Sequence, residues 1–246
     1  MKVFQCRRRA PTFSRFTVLA VWTLVRTGFF VVFRLLYRLR YDGQENIPLE
    51  GPVIYVANHQ SNLDPPSIGC LVWDRPFTSL ARSSLFDNKL LGWLIRLPGA
   101  IPIRRGQSDA AAIRTAIAEL QAGGCLLMFP EGSRSTDGAV KQFKAGVLVL
   151  VRRTKVPVVP IAIEGAFDTW PIGQRLPRFR GRIKVRASRA IPADELLADP
   201  PEITLQRLRC QIDAMRLELR QELREVTKDR YPAAGPADIA CQDAGS

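Results

Sequence analysis

The chain contains one histidine, His59, within Asn58-His59-Gln60-Ser61-Asn62-Leu63-Asp64-Pro65. A lone histidine after an apolar run is most often structural, but an aspartate five residues on adds a second possibility. Five residues advance a helix by about 500°, leaving the side chains roughly 140° apart, and on a strand an odd step points to the opposite face. His59 and Asp64 can therefore meet only across a turn, such as a strand-to-helix junction before Pro65-Pro66. There Asp64 would fix the imidazole tautomer and stabilise its protonated form, leaving the other ring nitrogen to take a proton. A competing reading makes Asp64 the N-cap of the next helix, with Pro65 at its first position. The two roles do not exclude each other.

Two further segments carry anion-binding chemistry. Phe129-Pro130-Glu131-Gly132-Ser133-Arg134-Ser135 follows the apolar run Cys125–Phe129. A glycine lets such a turn approach an anion closely, backbone N–H groups can bind it, and arginine adds a bidentate fork. Gly99-Ala100-Ile101-Pro102-Ile103-Arg104-Arg105 supplies a second arginine candidate. Either loop alone is weak, because an arginine in a turn is usually just solvated. The five cysteines (6, 70, 125, 210 and 241) are scattered and odd in number. They suggest neither a disulfide framework nor a zinc site, and fit a reducing compartment. With one histidine, a histidine-rich metal site is excluded.

The elements that must position these residues alternate. Short buried strands are expected at 53–56, 77–81, 100–103, 125–129 and 158–163. Helices are expected after Pro65, at 88–96, from Ser108 to about Gln121, and at 145–153. This alternation predicts an α/β domain, a mixed sheet flanked by helices. Arg178, Arg180, Arg182, Lys184 and Arg186 recur at period two. They read as an edge strand protected by its charges, or as a docking surface for headgroups, CoA phosphates or an acidic carrier protein. Leu205, Leu208, Ile212, Met215 and Leu219 predict an amphipathic helix packed on the domain. Residues 42–230 form the expected domain, and the Ala/Gly/Pro-rich stretch 231–246 is expected to be a disordered tail.

The 246 residues carry a net charge of +13. Residues 1–41 contain nine of the basic residues and no acid, wrapped around the apolar run Phe16–Phe33, in which Arg26 is the one charge. That density of Phe, Val and Leu suits a membrane anchor better than a nucleic-acid tail. No small-x-small cleavage site follows it, which argues against a signal peptide. Between a spanning helix, which would bury Arg26 near its middle, and a helix lying in the interface with snorkelling arginines, the interfacial reading fits better. An N-terminal membrane-associating helix on the cytoplasmic face of the inner or plasma membrane is the expectation.

In order and approximate spacing, the His-x4-Asp segment, Gly99–Arg105, Phe129–Ser135 and Val156–Ile163 resemble the motifs of the glycerolipid acyltransferases. The lysophosphatidic acid (1-acylglycerol-3-phosphate) acyltransferases, PlsC-like, are the nearest likeness, over about residues 51–165. Phe143-Lys144-x-Gly146 also looks like that family's segment after the third motif. The resemblance implies that His59 is the general base on an acceptor hydroxyl, oriented by Asp64, and that the hydroxyl attacks an acyl thioester directly. That agrees with the lack of a nucleophile elbow and gives Ser61 a structural role. It further implies that Arg105, Gly132 and Arg134 hold the acceptor's phosphate, with Glu131 positioning Arg134 or the acceptor. The fourth motif would sit near the acyl or acceptor channel. Ser133 stands where many members have Thr, and Arg82 near where many have Lys, so no role is carried to Arg82.

The implied reaction moves a fatty acyl group from acyl-CoA or acyl-ACP to the sn-2 hydroxyl of lysophosphatidic acid, giving phosphatidic acid, with no cofactor or metal. The partners expected are a phospholipid surface, a lysophospholipid acceptor and the acyl donor, and no nucleic acid. Another acceptor, such as a lyso-ornithine lipid or a larger lysophospholipid, would use the same machinery. Thioester or lipid hydrolysis is a further reading, and a non-catalytic basic membrane or RNA-binding module is a remote one.

Overall fold

The computed structural model of the chain describes residues 15–72, 75, 77–82, 101–103 and 109–241. The strands are β1 (Arg40–Asp42), β2 (Ile54–Ala57), β3 (Phe77–Arg82), β4 (Ile101–Ile103), β5 (Cys125–Met128), β6 (Val158–Glu164) and β7 (Lys184–Ala187). They form one sheet in the order β1-β7-β6-β2-β5-β3-β4. β2 lies parallel to both β5 and β6, with Ile54 opposite Leu126 on one side and Val158 on the other. β3 and β4 continue the parallel run. β7 joins β6 antiparallel and β1 joins β7 in parallel, so the sheet is mixed, as expected.

Helices α1 (Arg15–Leu36) and α2 (Asp64–Leu71) cover one face. There Phe33, Tyr37, Ile68 and Leu71 pack with Tyr55, Leu127 and Ile161. Helices α3 (Asp109–Gln121), α4 (Gly146–Thr154) and α5 (Pro201–Glu225) cover the other. Leu120, Val147, Ile212 and Leu219 pack there on Ile54, Val56 and Val158. With both faces covered, the central strands are apolar at almost every position instead of alternating. The fourth motif is β6 itself, buried throughout. It is core of the sheet.

Some expectations are corrected. β7 is interior, between β1 and β6, and its basic face is neutralised rather than solvated. Arg186 Nε lies 2.6 Å from Asp42 Oδ1, its Nη2 2.8 Å from Glu222 Oε1, and Lys184 also pairs with Glu222. Only Lys184–Ala187 is strand, and residues 178–183 approach it as a loop. Of the stretch 231–246 expected to be a disordered tail, residues 231–241 instead run back along α5, and 242–246 lie outside the described residues. Arg216 Nη2 donates to Ala237 O (2.8 Å), Arg220 Nε to Asp238 Oδ1 (2.7 Å), and Ala237 is buried. The same return joins Cys210 to Cys241 in a disulfide, their Cα atoms 5.2 Å apart, so this pair is not the two scattered thiols expected. The expected helix 88–96 lies outside the described residues. Among the described residues, no helix is long and apolar enough to cross a membrane.

Candidate active site

The C-terminal ends of β2, β5 and β6 deliver three adjacent loops to one edge of the sheet. Ligands of open α/β sheets bind at such an edge. The β2 loop is fixed first by Asn58, which is buried and bridges to β6. Its Nδ2 donates to Ile163 O (2.9 Å) and its Oδ1 accepts from Ile163 N (2.8 Å). His59 follows, partly exposed, and the chain turns through residues 60–63 into α2.

That turn lets the two motif side chains meet. Asp64 Oδ2 lies 2.7 Å from His59 Nδ1, and also accepts from Gln60 N (2.7 Å) and Ser61 N (2.8 Å). Its partners lie upstream of α2, and Leu63 takes the N-cap position with no side-chain cap bond. The capping reading of Asp64 is thereby replaced by the orienting one. Asp64 is fully buried and its Oδ1 has no hydrogen-bond partner. Complete burial pushes this carboxyl above its ordinary range, against the pull of His59 and the two backbone N–H groups. Because Oδ2 already accepts two backbone N–H bonds, the shared proton sits on Nδ1, which leaves Nε2 as the acceptor. Ser61 Oγ donates to Trp170 O (2.9 Å) and accepts from Leu63 N (3.3 Å), a structural assignment.

The β5 loop is laced to the histidine. The Phe129 ring stacks on the imidazole at 4.0 Å between centroids and 16° between planes. His59 N donates to Glu131 Oε1 (2.7 Å), and Ser135 N donates to His59 O (2.7 Å), so the His59 backbone is gripped from both sides. Glu131 Oε2 accepts from Lys141 N (3.2 Å). Both Glu131 oxygens therefore face backbone donors, so Glu131, expected to position Arg134 or the acceptor, ties the two loops together. Burial pushes its carboxyl up to about 7.

Gly132 has φ +72, a conformation an L side chain rarely adopts, and its N–H donates to Phe129 O (3.0 Å). The glycine thus makes the turn rather than offering a free N–H to phosphate. A Cβ there would stand 2.8 Å from Lys144 Nζ, so that lysine's ammonium flanks the turn. Lys141 Nζ donates to Arg134 O (2.6 Å). Arg134, Lys141 and Lys144 therefore share this loop, of which only Arg134 was expected to bind the acceptor. Arg105 lies outside the described residues.

Sequence reasoning missed the polar support behind the histidine. Gln60 Nε2 donates to Glu164 Oε2 (2.8 Å), where β6 ends. Glu164 is fully buried between Arg216 Nη1 (3.3 Å) and Arg220 Nη1 (2.5 Å), both from α5. No sequence signal marked these residues, because arginines four apart on a helix read as a solvated face. Among the described residues, no cluster of three or more His, Cys, Asp or Glu is placed to hold a metal.

The chain is similar to known proteins. Residues 38–164, more than half of the chain, match the family model described as Acyltransferase. The chain is 31% identical over 152 residues to the chloroplastic 1-acyl-sn-glycerol-3-phosphate acyltransferase LPAT1 of Arabidopsis thaliana, covering 61% of this chain and 42% of that one. It is 30% identical over 161 residues to a lyso-ornithine lipid O-acyltransferase of Pseudomonas aeruginosa, covering 59% and 61%. The chain thus spans less than half the length of the plant relative. In structure it is similar to the 1-acyl-sn-glycerophosphate acyltransferase PlsC of Thermotoga maritima, with TM-score 0.68 and 26% identity over 83% of this chain and 81% of that one. Since the family match runs from β1 through β6 and so takes in the loops carrying His59, Asp64 and Glu131, the chain belongs to the acyltransferase family.

Proposed function

We propose that this protein transfers a fatty acyl group from acyl-CoA or acyl-ACP to the sn-2 hydroxyl of lysophosphatidic acid, forming phosphatidic acid. The observation that carries the reading is the His59 Nδ1–Asp64 Oδ2 contact of 2.7 Å beside a loop bearing Arg134, Lys141 and Lys144. With Nδ1–H donated to Asp64, His59 Nε2 takes the hydroxyl proton as the oxygen attacks the thioester carbonyl. The new C–O bond forms, the C–S bond breaks, and the imidazolium returns its proton to the leaving thiolate. No enzyme nucleophile and no cofactor are needed. Asp64 stabilises the transient imidazolium, while the cationic loop receives the acceptor's phosphate, with Arg105 as a further candidate. Attachment of the basic, apolar N-terminal helix to the cytoplasmic face of a membrane would bring the site to its lipid acceptor.

A second reading keeps the mechanism and changes the acceptor to a lyso-ornithine lipid, favoured by the likeness to the Pseudomonas enzyme. The experiment is acyl transfer from labelled acyl-CoA and acyl-ACP to a panel of lysolipids, with wild type beside His59→Ala. Phosphatidic acid formed by wild type and lost in the folded variant supports the proposal. Transfer only to another lysolipid moves the acceptor assignment. No transfer to any of them refutes the reading.

A further inference from the structure

The loop after the single helical turn Ala166–Thr169 has no part in the chemistry above, yet it presents an unusual surface. Leu176 is 68% exposed and Phe179 75%, with Ile172 exposed beside them. Between and around them stand Arg175, Arg178 and Arg180, all exposed. The loop is built rather than loose. Arg178 N donates to Thr169 O (2.9 Å), Trp170 Nε1 to Gln174 O (2.9 Å), and Gly181 N to Leu36 O (3.3 Å) at the end of α1.

That last bond joins the loop to a second apolar surface. On α1, Leu24, Val31, Val32 and Leu35 are exposed at helical spacing, while Phe33, and Tyr37 just past the helix end, face the core. Behind the loop, Arg182 is crowded by Arg38 and Arg230. Burial first, then these like charges, hold its guanidinium below its ordinary value. Apolar side chains pointing outward among arginines match a membrane interface, where the hydrocarbon boundary takes the first and phosphate headgroups the second. An acidic protein partner would match the arginines but give no reason for the bare Phe and Leu.

We propose that the loop Pro171–Gly181, with the outward stripe of α1, seats this protein on an anionic phospholipid surface. The loop is also tied to the site, since Trp170 O accepts from Ser61 Oγ (2.9 Å) two residues after His59. Seating the loop in the interface turns the His59 edge of the sheet toward the lipid. This goes beyond the acyl-transfer reading and names a second membrane contact besides the N-terminal helix.

The test uses the full chain and vesicles of phosphatidylcholine alone or mixed with phosphatidylglycerol. Leu176→Ser with Phe179→Ser is expected to weaken binding to both vesicle types at least about tenfold. Arg178→Gln with Arg180→Gln is expected to weaken binding roughly thirtyfold on the anionic vesicles only, with a shallower salt dependence. Unaltered melting curves establish that the variants fold. Binding unchanged in both double variants overturns the proposal. So does an arginine variant that loses an acidic carrier protein while keeping vesicles. Because vesicle binding is read without turnover, the expected pattern can hold even if no acyl transfer is found, and the two readings fail separately.

Discussion

Replacing Asp64 with Asn separates the charge of the aspartate from its geometry. Asp64 Oδ2 faces three donors, whereas Oδ1 faces none. In Asp64→Asn the amide oxygen must therefore occupy the Oδ2 position, because turning the NH2 there would set it against two backbone N–H groups. The tautomer with Nδ1–H survives and only the negative charge is lost. Opposite charges about 4 Å apart at an effective dielectric near 20 interact by about 4 kcal/mol. With the proton roughly half transferred in the transition state, about 2 kcal/mol of that is forfeited. A further ~1 kcal/mol goes with the change from a charged to a neutral acceptor. Together these predict kcat/KM lower by about a hundredfold. Asp64→Ala should fall further and also lose stability, since two buried N–H groups are left unpaired. The assay is initial-rate acyl transfer, combined with NMR of the sole imidazole in the chain, which reports its tautomer without overlap. Asp64→Asn retaining a third or more of wild-type activity refutes the charge argument, and a switch to the Nε2–H tautomer refutes the geometric one.

Three other perturbations probe the support. Glu131, raised to about 7 from an ordinary 4.5, holds a proton in the folded state that the unfolded chain releases. Its stabilising contribution is full below about pH 4.5 and falls by about 3 kcal/mol as pH rises through 7. Urea titrations of Glu131→Gln should show this slope removed relative to wild type, and parallel curves would contradict it. Arg220→Met leaves Glu164 with one guanidinium and should destabilise by about 3–5 kcal/mol, while adding Glu164→Gln should recover much of the loss. A double variant less stable than the single one would show that the charge of Glu164 is not the cause. Asn58→Ala removes both bonds to Ile163 and should cost about 2–4 kcal/mol in denaturant melts, and a change under 1 kcal/mol would show that the bridge is dispensable.

Much of this architecture was legible from local pattern. Runs such as Cys125–Met128 and Val158–Glu164 are apolar at nearly every step, which only a doubly covered strand requires, and the structure places strands there. The His59–Asp64 turn followed from the phase of a five-residue step ahead of two prolines. What failed depended on partners distant in sequence. The basic alternation of β7 reads as solvent-facing until Asp42, Glu218 and Glu222 are seen around Arg186. The Pro/Gly-rich stretch after Arg230 reads as unstructured because its stabilising contacts come from Arg216, Arg220 and Arg224 on another element. Glu131 was picked out by its motif, but its bonds to His59 N and Lys141 N were not, since backbone donors leave no trace in side-chain identity.

The buried Glu164 also bears on how the protein is made. Arg216 and Arg220 follow it by 52 and 56 residues, and Glu131 follows His59 by 72. At translation rates of about 5–20 residues per second, Glu164 leaves the ribosome roughly 3–10 s ahead of the cations that neutralise it. Through that interval, a β6 closed into the centre of the sheet would carry its last residue without the two cations that face it in the folded protein. A nascent chain halted after β6 would already contain His59, Asp64 and Glu131, yet the ground beneath them would form only once α5 had been synthesised. The catalytic edge is thus encoded early and completed late.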